Sequence, residues 1–564
     1  VVNRLKRKPY IFGLAAALVL ALAAWQFARP ATAESPRLER YLPADAVGFV
    51  EVNDLRAQAV RVIESEAWRE FSRENQAASS LFMVAANHAG VLDASYALAL
   101  VGASAGENGR AEPQFVVVAE FNGRGARRTF ENRVLRLVRE ANEKGVTTRS
   151  EEHQGETINS LTPAEGRGKG FSYAQADNTL FLSNSAEGVK RVLDVRAGKS
   201  PSLETNQTFA EARARARYTD GMFGYLDGAA LTRLIDAAPA GEGHHGLAAF
   251  RQLFHGTGAS GVRSVAFTSV FEDGRVAERF VVVAPARQGV LGTVAANPPT
   301  PQALLALVPE DAAQVFDASV ANAPQTFDEM FVLADQAAAQ VGRKGFGDAL
   351  TEFAGKTGVD LREEIVRALG AEVCFAQVPT GERRAGVLLL NVRDERAFAA
   401  TLEKFAAHRQ RAVSSRDYRG VTVRSVAGEK GRGLEYAFVG GNFVASGDGR
   451  AVERVIETAQ GGASLRASAA FQTASAGLAG QPQFVYFNSN ADYLDRLGRT
   501  LKGGGQEFKT EGQRASLRPS FAFGVVQPDG FYVESRSPLG TFPRLLTAVT
   551  SRLGVDGGPK PDAE

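Results

Sequence analysis

Leu42-Pro43-Ala44-Asp45-Ala46 stands just ahead of the apolar run 47–52, and Val308-Pro309-Glu310-Asp311-Ala312 stands just ahead of 314–316, 266 positions later. Each run predicts a short strand. Working outward, the same pairing recurs in order. The stretch Phe171 to Leu182 turns at Asp177-Asn178, and its counterpart Leu434 to Val444 turns at Gly440-Gly441. Both dipeptides tolerate the positive φ of a tight hairpin. A helix follows each, with Val189, Val192 and Leu193 as the stripe of one and Val452, Val455 and Ile456 of the other. Asn184 or Ser185, and Asp448, are available as caps. Phe209 then matches Phe471, and Met222–Leu226 matches Gln483–Phe487. A last hairpin pairs Ser264–Phe267 and Asp273-Gly274 with Ser520–Phe523 and Asp529-Gly530. The offset drifts only from 266 to 256, which points to one folding unit written twice.

Within each copy the reading predicts a strand, then a helical region (Ala57 to His88; Thr326 to Phe353). An apolar strand follows (Phe115–Phe121; Val387–Val392), then an amphipathic helix, with Phe130, Val134, Leu137 and Val138 in one copy and Phe398, Leu402 and Phe405 in the other. Because strands are often joined by hairpins, the fold class is α+β. Two tandem diverged copies of a mainly antiparallel sheet are expected, with helices packed on one face. The expected boundaries are 38–290 and 303–540, with 291–302 as linker inside the Ala-, Pro- and Gly-rich join Ala284 to Gln302. The polar segment 554–564 reads as a disordered tail.

The first 33 residues differ from the rest. Arg4, Lys6, Arg7 and Lys8 precede an apolar run from Ile11 to Ala28, and Pro30-Ala31-Thr32-Ala33 supplies a small-x-small site. This is the layout of a secretory signal peptide, cleaved near Ala33, or of an N-terminal membrane anchor through residues 11–28. Either predicts a periplasmic address. The whole chain carries 65 Lys+Arg against 63 Asp+Glu; without residues 1–33 the balance is 60 against 63, a net −3. Nothing in it suggests nucleic acid. The single Cys374 sits in an apolar stretch and reads as a small buried hydrophobe.

Tyr41-Leu42-Pro43-Ala44-Asp45 carries a resemblance, as does Thr357-Gly358-Val359-Asp360-Leu361 leading through Glu364-Ile365 to Leu369-Gly370-Ala371-Glu372-Val373. They resemble the bacterial exported family catalogued as domain of unknown function 3352. The resemblance implies coverage of both copies, roughly 38 to 540. The first copy departs from the pattern after Gly90-Val91-Leu92-Asp93, where the intervening helix is missing. The family is uncharacterised, so the resemblance transfers no catalytic residue.

No catalytic, cofactor-binding or metal-ligating residue is assigned, and no cofactor. His244, His245 and His255 form the one histidine cluster, without the further ligands zinc requires. Gly166-Arg167-Gly168-Lys169-Gly170 lacks the following helix of a phosphate loop. Serine-nucleophile motifs are missing. Arg213, Arg215 and Arg217 alternate on a helix and read as a solvated face, and Asn206-Gln207-Thr208 as a glycosylation triplet only by letter. The 35 phenylalanines, among them Phe171, Phe521 and Phe523 at strand spacing, read first as core and second as an aromatic-lined groove. The expected function is a non-catalytic envelope protein binding a protein partner or an apolar, lipid-like ligand, with the groove between copies as the place to look. The rival is a hydrolase-type enzyme whose site is assembled from distant residues.

Overall fold

A computed structural model of the chain describes residues 37–75, 93–105, 111–123, 147–162, 170–238, 245–428, 433–478, 480–501 and 517–540, with scattered positions between 125 and 132. The export segment, the tail, the glycine-rich loop 163–169 and most of the helix expected around Phe130 lie outside the described residues. Among the described residues, no helix is long and apolar enough to cross a membrane.

The first half runs β1 (Gly48–Val52), α1 (Leu55–Ile63), α2 (Glu66–Glu74), β2 (Ala94–Ala105), β3 (Ala111–Phe121), β4 (Thr147–His153), β5 (Glu156–Thr162), β6 (Phe171–Ala176) and β7 (Thr179–Ser183). It continues through α3 (Ala186–Arg196), α4 (Gln207–Arg215), β8 (Met222–Asp227), α5 (Gly228–Ala237), α6 (His245–Gly256), β9 (Ser264–Glu272) and β10 (Arg275–Val283). The join contains one short helix, α7 (Gly289–Ala295), where only a linker was expected. The second half runs β11 (Gln314–Ser319), α8 (Ala323–Gln340), α9 (Phe346–Thr357), β12 (Leu369–Thr380), β13 (Arg383–Val392), α10 (Glu395–His408), β14 (Val413–Tyr418), β15 (Val421–Val426), β16 (Leu434–Val439) and β17 (Asn442–Ser446). It ends with α11 (Gly449–Ala459), α12 (Ala469–Ser475), β18 (Phe484–Asn488), α13 (Tyr493–Leu501), β19 (Ser520–Gln527) and β20 (Gly530–Ser537).

Every strand pair is antiparallel. The order across the sheet is β4-β5-β6-β7-β3-β2-β1-β8-β9-β10 in the first half. The second half repeats it, read inward, as β14-β15-β16-β17-β13-β12-β11-β18-β19-β20. β10 and β20 then pair from Val276↔Ser537 to Val283↔Gly530, so both halves share one sheet. The strand pairing of the two halves corresponds pair for pair.

The repeated opening motif has a physical job. In each half its Pro forms an isolated bridge to the chain after the long helix, Pro43 to Ser202 and Pro309 to Ser464. Its Asp then meets an arginine of that helix: Arg191 reaches Asp45, and Arg454 reaches both oxygens of Asp311 at 2.8 and 3.0 Å. The same two arginines donate to the carbonyls of Val101 and Pro379. The caps behave as the spacing predicts. Ser185 accepts from the Gly188 amide and Asp448 from that of Arg450, whereas Asn184 accepts from the Phe115 amide instead. The hairpin turns place Asp177 at φ 49° and Gly440 and Gly441 at 57° and 78°. Past Asp93 the first half enters β2 directly, while a π-helical turn, Leu361–Val366, precedes β12.

One face of the sheet carries the expected helix layer. Val189, Val192, Leu193 and Phe209 of α3 and α4 pack with Phe49, Val116, Val118 and Phe223; Val452, Val455, Ile456 and Phe471 of α11 and α12 pack with Val315, Val387, Leu389 and Phe487. These residues and their neighbours form a single buried cluster across both halves. Phe521 and Phe523 belong to it, as core residues.

Candidate apolar binding face

Side chains alternate across a strand, so the residues between the core positions point to the other face. There the register lines up a row across eight strands: Leu98, Val50, Gly224, Phe267, Phe280, Val533, Gly524 and Phe484. A second row continues it as Tyr486, Phe316, Phe375 and Leu388. Five of these, Val50, Phe280, Phe316, Phe375 and Leu388, are between 36 and 42 % exposed. A soluble chain seldom leaves so many large apolar groups contiguous and open without a use for them.

The margins of this face are built from both halves. α2 and α13 meet in a small cluster of Trp68, Phe71, Leu494, Leu497, Leu517 and Leu539. At the end where β8 and β11 finish, α6 packs against α8, and Gln252 of α6 donates to Gln336 of α8 at 2.7 Å. Beyond β13, Phe398 of α10 covers Phe443 and Tyr436. Between these margins Val50, Phe280, Phe316, Phe375 and Leu388 each keep more than a third of their surface exposed.

Glycine shapes the floor. A Cβ on Gly524 would sit 2.2 Å from the ring of Phe484, so the glycine makes room for that ring, which stands 5.8 Å from the Phe316 ring. Phe375 leans over Gly386 in the same way. Gly224 is different: a Cβ there would meet only Phe267 and Val50, at 3.8 Å. It leaves a notch between two apolar side chains.

The polar groups of interest lie on the opposite, helix-covered face. Glu51 is fully buried, and its acid is pushed up to about 8, first by burial and then by the charge of Glu39. Arg213 donates to Glu39 and lies 3.5 Å from Glu51. Asp317, at the matching place on β11, is also fully buried, with its acid pushed up to about 9 by burial and by Glu372. Two carboxyls sharing a buried environment raise one another's pKa, and in each half both acids lie buried on the helix-covered side.

The structure therefore corrects the reading of Arg213 and Arg215 as a solvated face. Arg213 neutralises buried acids, and Arg215 grips Asp529 of the other half. Only Arg217 is exposed, over the Tyr532 ring. Asn206 caps α4 and donates to the Ala44 carbonyl. His255 pairs with Asp236 at 2.9 Å, and His244 lies outside the described residues. Among the described residues no group of His, Cys, Asp or Glu is placed to hold a metal ion. Cys374 is fully buried, which pushes its thiol well above the ordinary range.

Residues 280–517 match the family described as protein of unknown function, DUF3352. The chain carries a DUF3352 domain. The match takes in the end of β10, the join and the second half up to the approach to β19. The DUF3352 domain thus supplies Phe316, Phe375, Leu388 and Phe484 of the open face, together with the buried Asp317 and Glu372. No curated protein matches the chain. Two solved structures of TP0453 are similar to part of it. Crystal form III is 8 % identical and covers 44 % of this chain and 80 % of its own, and crystal form IV is 10 % identical and covers 46 % and 98 %; both have a TM-score of 0.22.

Proposed function

We propose that the protein is a non-catalytic envelope protein that holds an apolar ligand, a lipid acyl chain, along the open face of its sheet. The observation that supports this is the row of half-open Phe, Val and Leu side chains running across the β10–β20 seam. Burying such a surface yields roughly 25 cal/mol per Å² of apolar area removed from water. An acyl chain suits it better than a peptide. The strands beneath are hydrogen-bonded to neighbours on both sides, so a peptide backbone laid across them would leave its own amides unpaired, at about 1–3 kcal/mol each. A hydrocarbon has no such groups. The N-terminal basic head and apolar run support an address outside the cytoplasm, where such ligands are met.

The test is titration of the full chain with a fluorescent hexadecanoate, competed by palmitate, alongside the double variant Phe316→Ser/Phe375→Ser. Saturable binding that weakens at least tenfold in the variant, with an unchanged melting temperature, is expected. Binding that is absent, or indifferent to the substitutions, would overturn the reading.

A further inference from the structure

Each half buries an acid two residues past the side chain that anchors its first strand in the core: Glu51 after Phe49, Asp317 after Val315. Each has a second buried acid beside it, Glu39 in one half and Glu372 in the other. The halves solve the resulting repulsion differently. In the first, Arg213 reaches both acids. In the second, the facing cation is Arg466, which acts on Asp317 at longer range while donating to the Gln302 carbonyl.

Both acids of the second half hold the chain that joins the halves. Thr300 Oγ1 donates to Asp317 Oδ1 at 2.8 Å. The amides of Ala303 and Leu304 donate to Glu372 Oε2 and Oε1, at 3.0 and 2.9 Å. Asp317 Oδ2 is buried without a donor, and the β11–β12 register, which pairs Asp317 with Cys374 and Ser319 with Glu372, sets the two buried acids as diagonal neighbours on the same face of the sheet. Acceptor facing acceptor is satisfied only by a proton between them.

We propose that Asp317 and Glu372 form a proton-held latch on the connector: a proton on Asp317 Oδ2, donated to Glu372, lets both acids stay buried while they grip Thr300, Ala303 and Leu304, and its loss to solvent releases that grip. The other titratable groups around it are few. Cys374 stands opposite Asp317 on β12 and Arg466 faces it from the turn before α12. Val485 faces it from β18, and residues 297–304 carry no titratable side chain. Burial and the Glu372 carboxyl hold the Asp317 proton up to about 9. The latch is therefore shut through neutral pH and opens in the alkaline range.

Pulse-labelled hydrogen exchange of the full chain tests this, read on the peptide spanning 297–306 and referenced to unfolded-chain rates at each pH. The protection of Ala303 and Leu304 is expected to fall at least tenfold between about pH 7 and about pH 10. In Asp317→Asn the amide donates to Glu372 at every pH while the carbonyl still accepts from Thr300, so protection should stay constant across that range. Glu372→Gln, which places an amide against Asp317, should likewise lose the alkaline step even if its basal exchange is faster. A parent protein without the step, or variants that keep it, would overturn the latch.

Discussion

Arg215 of α4 grips both carboxylate oxygens of Asp529, at 2.8 and 2.5 Å, across 314 residues of chain. The pair stands at the end of the seam where the Ala284 amide donates to the Asp529 carbonyl, so it pins the β19–β20 turn against the first half.

Its worth is limited by water, because both side chains are about a third exposed. Asp529→Asn is expected to cost about 1 kcal/mol or less at neutral pH. The hydrogen bond to Arg215 holds the Asp529 acid below the usual carboxylate range. Its contribution is therefore full above the unfolded-state value, near pH 4, and lost as the pH falls through the lower folded value. Parent and variant should have converging melting temperatures in acid; a gap that stays constant below about pH 3 would contradict the linkage.

Removing Arg213 should be far more damaging. Arg213→Met leaves Glu39 and Glu51 buried without a cation, and breaking such a pair costs about 3–5 kcal/mol. Adding Glu39→Gln should recover a large part of the loss, since the acid that Arg213 is hydrogen-bonded to is then replaced by a neutral amide. Urea denaturation of the two variants measures this, and a double variant no more stable than Arg213→Met would refute the coupling.

Glu51 also gives the parent protein a pH slope. Its acid is raised, so the unfolded chain releases that proton near pH 4.5 while the folded chain keeps it up to about 8. Stability thus declines as pH rises through that window. Glu51→Gln should flatten this part of the profile, as read by denaturation midpoints from about pH 5 to about pH 8.

Phe49→Ala tests the core rather than the charges. Its ring is buried against Phe209 and Phe223, with centroids at 5.7 and 6.3 Å. The expected loss is about 3–5 kcal/mol. Phe375→Ala, on the open face, should change stability by less than about 1 kcal/mol while weakening acyl-chain binding, as substitutions outside the core commonly do.

The opposite outcome is expected for filling the notch. A Cβ at Gly224 would make only ordinary van der Waals contacts, at 3.8 to 4.0 Å, so the fold should tolerate Gly224→Leu and hexadecanoate binding should fall several-fold. Unchanged affinity would move the ligand away from β8.

What the amino-acid order settled is local. Period-two runs, turn dipeptides and capping residues are chemistry within a few residues, so β6–β7 with Asp177-Asn178, α3 behind Ser185 and α11 behind Asp448 were all legible. The recurrence of Leu42–Ala46 at Val308–Ala312 carried the same logic into the second half. Alternation also says that a strand has two unlike faces. It does not say which face a helix will cover. Phe316 and Phe521 look alike in sequence, yet one is open and the other core. Likewise Arg213 and Arg215 showed only charge at alternate positions, because their partners Glu39, Glu51 and Asp529 lie far away in the chain. The β10–β20 seam, the open aromatic rows and the buried acids depend on which distant segments come together, and only the packed sheet decided that.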